Sequence, residues 1–177
     1  MLSIKKIFWL CNSLFIKKIL RLNGVKVGKK FYIEGMLKLK IRGKGSNIEI
    51  GDNVSVFGNI DLRNRENGRI IIENNVKFDS DVRIVSAKYG TIKIGEGSAI
   101  GPYTIINGGG NVMIGKKIVF ARNISVNAND HEHKRFANIM DQGFVYNDVI
   151  IEDDVWLGAN VCVNKGVTIK KRINCWC

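Results

Sequence analysis

Counting in sixes along this chain keeps landing on an apolar side chain. From Ile50, a step of six residues meets Val56 and Leu62. Gaps of ten, ten and eight then lead to the triplets Ile72-Phe78-Ile84, Ile94-Ile100-Ile106 and Ile114-Phe120-Val126. A gap of 25 precedes Ile151, Leu157, Val163, Ile169 and Cys175, and upstream Val27, Ile33 and Leu39 keep the same step. Nineteen of these twenty positions are aliphatic or aromatic in a chain that is 45% hydrophobic, so the phase is not chance. Six is not a helical period, which is about 3.6. A β-sandwich alternates but has no reason to hold strict six-residue steps. A short strand, a corner and another short strand fit six residues as one side of a triangular coil. Three such sides close one coil, and each coil buries its apolar side only against its neighbours. The periodicity therefore predicts a parallel β-helix, without setting the hand of the coil.

The positions between the anchors agree. The residue after each anchor is often small or acidic (Gly28, Gly51, Glu73, Asp79, Gly95, Gly101, Gly115, Glu152, Gly158), and four residues on is a modest apolar or hydroxyl residue (Val54, Val76, Ser98, Thr104, Ile118, Val155). The expectation is that the small residues after the anchors make the turns, glycine accepting positive φ there. At 177 residues and 19.8 kDa the chain has length for one such domain, residues 24–177, preceded by a segment at 1–23. The four cysteines (Cys11, Cys162, Cys175, Cys177) have no paired metal spacing. No cleavable signal peptide is evident, so they read as reduced thiols of a cytoplasmic protein.

The gap after Val126 is the largest break in the pattern. About nineteen residues leave the coil, giving an inserted loop over 127–149 that holds both histidines, His131 and His133, in the run Asn-Asp-His-Glu-His. A long insertion in a solenoid is commonly functional, although ordinary exposed loop histidines would look the same at this point.

The segment from Leu2 to Leu22 has helical apolar spacing (Ile4, Ile7, Phe8, Cys11, Leu14, Phe15, Leu22) broken by Lys5, Lys6, Lys17 and Lys18. Those lysines interrupt it short of the roughly 18 apolar residues that a membrane span needs. Two readings stand: an amphipathic helix packed on the main domain or a neighbouring subunit, and an interfacial helix lying on the inner face of the cell membrane through residues 1–22. The formal net charge of +12 is concentrated here: residues 1–45 hold 12 Lys and Arg against the single acid Glu34, leaving 16 bases and 15 acids elsewhere. Such asymmetry fits an anionic surface or a phosphorylated substrate. No nucleic-acid motif accompanies it, so no nucleic-acid partner is expected.

Two stretches sharpen the fold reading into a resemblance. The run from Ile151 to Ile169 (IEDDVWLGANVCVNKGVTI) and the run from Met113 to His133 (MIGKKIVFARNISVNANDHEH) are similar to rungs of the hexapeptide-repeat acyltransferases, left-handed β-helix enzymes. The branch resembled is that of the sugar O-acetyltransferases, including the galactoside, maltose and surface-polysaccharide acetyltransferases. The resemblance covers roughly residues 25–170. It implies a left-handed coil, a homotrimer, acetyl-CoA as co-substrate and a sugar hydroxyl of a surface polysaccharide or its precursor as acceptor, with no metal. It carries the catalytic histidine onto His131, with Asp130, Glu132 and His133 as orienting or assisting groups. The pantetheine arm falls along Trp156, Gly158 and Ala159. Acceptor contacts fall in Ile105–Gly110, where Asn107 alone has a polar side chain. The chemistry suits an imidazole: a neutral ring can take the proton of a hydroxyl as it attacks a thioester. A zinc-dependent carbonic anhydrase of the same fold needs three histidines, and this chain has two. The family continues past Gly-Val-Thr-Ile with a further rung, whereas here Ile169 is followed by eight residues, Lys170 to Cys177, that read as an out-of-frame tail. A shortened, catalytically impaired β-helix or scaffold is therefore the alternative expectation.

Overall fold

The computed structural model describes residues 4–175, so Trp176 and Cys177 of the Cys-Trp-Cys ending lie outside the described residues. The chain winds as a parallel β-helix with three faces. The first face holds seven strands (Lys26–Val27, Ile48–Ile50, Arg69–Ile72, Thr91–Ile94, Val112–Ile114, Val149–Ile151 and Thr168–Ile169). The second holds seven, from Tyr32–Ile33 to Asn174–Cys175, and the third six, from Leu37–Gly43 to Cys162–Val163.

The twenty anchors form three stacks in register. Val27, Ile50, Ile72, Ile94, Ile114, Ile151 and Ile169 pair in succession along the first face. Ile33 through Cys175 do so along the second, and Leu39 through Val163 along the third. Seventeen are buried; Leu39, Ile169 and Cys175, in the end coils, are partly so. Each anchor is covered by its equivalent one coil away, so the end coils, with a neighbour on one side, are the less covered.

The corners differ from expectation. Positive φ falls three residues after the anchor, at Lys30, Asn53, Asn75, Gly97, Lys117, Asp154 and Arg172 in the first corner and Asp81, Tyr103, Asn123 and Asn160 in the second. Most are Asn, Asp or Lys rather than glycine. Asparagine is tolerated there and also stacks: Asn53 Nδ2 donates to Asn75 Oδ1 at 2.8 Å and Asn123 Nδ2 to Asn160 Oδ1 at 3.1 Å. The small residue after the anchor serves close approach instead. A Cβ at Gly95 would stand 2.4 Å from the backbone carbon of Gly115 on the next coil.

Residues 170–175 also correct the tail reading. Arg172 takes the same left-handed corner conformation, Asn174–Cys175 pairs with Trp156–Leu157, and the Gly158 N–H donates to the Cys175 carbonyl at 2.7 Å. The coil is thus carried through Cys175.

The helix α1, Ile4–Leu22, covers the open edge of the first coil. That edge exposes backbone groups with no further coil to pair them, and polar side chains of α1 supply the partners. Ser13 Oγ accepts the Ile33 N–H at 2.8 Å, Asn12 Nδ2 donates to the Gly35 carbonyl at 3.0 Å, and Arg21 Nη2 to the Val27 carbonyl at 2.8 Å. Lys17 Nζ donates to the Gly28 carbonyl, and burial draws its pKa below the ordinary lysine value. Ile16 and Leu20 seal the end of the core between these contacts.

Candidate active site

The chain leaves the solenoid after the third-face strand Ser125–Asn127 and returns in Val149–Ile151. Between them Asn129–His131 pairs antiparallel with Phe144–Tyr146, aligning Asn129 with Tyr146 and His131 with Phe144. Gln142 organises the tip: its Oε1 accepts the Lys134 N–H at 2.6 Å and its Nε2 donates to the carbonyls of Lys134 and Ala137. The base of the hairpin sits on Gly109, where a Cβ would stand 2.6 Å from the Tyr146 ring. Gly109 and Gly110 thus make room for the insertion, whereas a Cβ at Gly108 would meet Ile92 of the core.

This hairpin holds His131 over a pocket of about 290 Å³ at the end of the third face. The His131 ring lies against Phe144, centroids 4.2 Å apart and planes at 40°. Asn127, Asn129 and Asn164 border the pocket with amides, and Asp130 and Lys165 with charges. Lys165 Nζ pairs with Asp130 Oδ2 at 2.9 Å, while Asp130 Oδ1 accepts the His131 backbone N–H at 2.9 Å. The Lys165 ammonium, then that N–H, holds the Asp130 carboxyl below the ordinary carboxylate range. The pair fastens the hairpin to the coil that follows it.

The residues that the resemblance singled out fall into two groups. Asp130, His131, Glu132 and His133 share the hairpin, but neither carboxylate bonds the His131 ring. Asp130 faces Lys165, and Glu132 lies 3.5 Å from Lys134. His133 Nδ1 lies 3.3 Å from the His131 carbonyl. Asn107 stands one coil below Asn127 in register, its Nδ2 donating to Asn127 Oδ1 at 2.9 Å, so it braces the pocket wall rather than lining it. Trp156, half-exposed on the second face, and Gly158 and Ala159, at the corner after it, lie outside this pocket. Asn127, Asn164 and Lys165 are pocket residues that sequence reasoning missed. The signal was present: the place after the third-face anchor is Asn in three successive coils, at 107, 127 and 164.

A larger groove of about 540 Å³ runs along the third face nearer α1, lined by Leu37, Ile60, Val82, Tyr103 and Ile105 with Asp61 and Arg83. Burial alone would raise the Asp61 pKa, but Arg63, bonded to it at 2.7 and 2.5 Å, brings it below the ordinary range. This groove is mainly apolar and has no imidazole or thiol, so the smaller pocket is where a proton-transfer reaction has its groups.

No family model matches the chain, and no curated protein matches it. Among solved structures it is similar to the polySia-specific acetyltransferase NeuO, at 20% identity and a TM-score of 0.43, over 83% of this chain and 71% of that one. A likeness of that size does not define an activity.

Proposed function

We propose that this protein is an O-acetyltransferase that moves an acetyl group from acetyl-CoA to a sugar hydroxyl of a surface polysaccharide or its precursor. The observation that carries the reading is the placement of His131, on a hairpin inserted into the solenoid, over a pocket walled by asparagine amides. An imidazole beside asparagine amides, with the bordering Asp130 and Lys165 charges paired to each other, suits a polar, uncharged nucleophile such as a sugar hydroxyl. His131 takes the hydroxyl proton as the oxygen attacks the thioester carbonyl. The C–S bond breaks as the tetrahedral intermediate collapses, and the same ring returns the proton to the leaving thiolate. Asn127, Asn129 and Asn164 are the nearby donors for the acceptor and for the oxygen on which charge develops. The resemblance in the rung Ile151–Ile169 supports a donor track along Trp156, Gly158 and Ala159.

Those donor residues lie apart from the His131 pocket of the same chain, which favours a homotrimer in which one protomer's coil edge meets its neighbour's hairpin. The exposed apolar hairpin tip (Phe136, Ile139, Met140) supports such a contact. Isothermal titration with acetyl-CoA tests the reading and separates it from a non-catalytic β-helix. Saturable binding that weakens in Trp156→Ala is expected; absence of binding overturns it.

A further inference from the structure

Helix α1 is apolar on the face that the solenoid does not use. Its underside is given to the first coil through Asn12, Ser13, Ile16, Lys17, Leu20 and Arg21. The opposite side carries Ile4, Ile7, Phe8, Leu14, Phe15 and Leu22, related by steps of three, four and seven and therefore in one stripe. These side chains are exposed, Ile4 at 87%, Leu14 at 69% and Phe15 at 64%. The first coil does not need this stripe, because its edge is satisfied from the other side. Among the described residues no helix is long and apolar enough to cross a membrane.

The charge around the stripe has one sign. Lys5, Lys6 and Lys18 are exposed on α1 itself. The C-terminal end of α1 leads into Gly24, which lies against Gly45 and Ser46, just past the long third-face strand Leu37–Gly43. That strand and its neighbour Ile60–Glu66 set Lys40 opposite Arg63 and Arg42 opposite Arg65. Like charges placed opposite each other across a sheet are destabilising. Arg63 is neutralised by Asp61, but among the described residues Lys40, Arg42 and Arg65 have no acid bonded to them. Cations held together at a stability cost, beside an apolar stripe, make a surface complementary to an anionic bilayer. The stripe would enter the acyl boundary while the lysines and arginines meet the headgroups.

We propose that the α1 end of the solenoid docks on an anionic membrane surface, with α1 lying in the interface and the Lys40-Arg42-Arg65 cluster against the headgroups. This goes beyond the acetyl-transfer reading and is independent of it, since binding needs neither acetyl donor nor acceptor.

Sedimentation of the full chain with lipid vesicles tests it. The protein should bind phosphatidylcholine vesicles containing phosphatidylglycerol at low salt and be left in solution by phosphatidylcholine alone. High salt should weaken binding. Phe8→Ser/Phe15→Ser and Arg42→Glu/Arg65→Glu should each weaken it by roughly tenfold or more, with the unfolding midpoint of the first pair unchanged because both rings are exposed. Failure to bind the anionic vesicles at low salt overturns the proposal, as does undiminished binding by Phe8→Ser/Phe15→Ser. Loss of self-association in that variant, with no vesicle binding by the parent, assigns the stripe to a second copy instead.

Discussion

His131 and Asp130 are sequence neighbours with divided tasks. The imidazole packs on Phe144 and faces the pocket, while the carboxylate is turned to Lys165 and the backbone. A carboxylate whose pKa is lowered on folding adds stability above its unfolded value, about 3.9. That contribution fades only as pH falls through the lower folded value. The Asp130–Lys165 tether is therefore in place at neutral and mildly acidic pH. Lys165→Met should return Asp130 toward the ordinary range and release the hairpin. Amide exchange in 129–146 should then be faster at neutral pH, and the acid pH at which the remaining protection is lost should rise. Unchanged exchange would mean that the hairpin is held by the Gly109–Tyr146 seat alone.

At the scale of elements, α1 shows why sequence patterning found the helix but not its orientation. Its most apolar stripe is exposed, and the mixed face carrying Asn12, Ser13, Lys17 and Arg21 is the one that docks. Amphipathic reasoning assumes that a helix buries its apolar side against apolar neighbours. The end of a β-helix instead offers backbone N–H and C=O groups, so polar side chains are the better lid. Ser13→Ala leaves the Ile33 N–H without its partner and should cost about 1–3 kcal/mol. Leu20→Ala, at a fully buried site, should cost about 2–5 kcal/mol. Denaturant unfolding of both variants beside the parent checks the ranking. Equal stability of Ser13→Ala and the parent would mean that the coil edge does not need its lid. The solenoid itself was legible because its rule is local and repeated, each anchor predicting the next six residues away. The left-handed corners were harder to read: Asn, Asp and Lys fill them without glycine's signature. The Asp130–Lys165 tether was invisible, because it joins residues 35 apart across the break in the repeat.

For the whole molecule, stability and function both depend on stacking. Each coil is sealed by its neighbours, the first by α1, and the hairpin is the part that projects furthest from this plan. Its tip is apolar, with Phe136 and Met140 almost fully exposed, and the proposed homotrimer would give it a surface to bury against. Light scattering at micromolar concentration should give a homotrimer, and Phe136→Ser/Met140→Ser should shift it toward monomer. A monomeric parent protein would leave the tip unexplained and the donor track apart from the histidine.

The central claim is that His131 moves the proton in acetyl transfer. The direct measurement is the rate of CoA release from acetyl-CoA across a panel of neutral and acidic polysaccharides, for the parent, His131→Ala and His133→Ala. With an acceptor that supports turnover, His131→Ala should be slower by about 10²–10⁴-fold with its fold intact, and His133→Ala should stay near the parent rate. A His131→Ala enzyme at near-parent rate, or loss of activity in His133→Ala alone, would contradict the assignment.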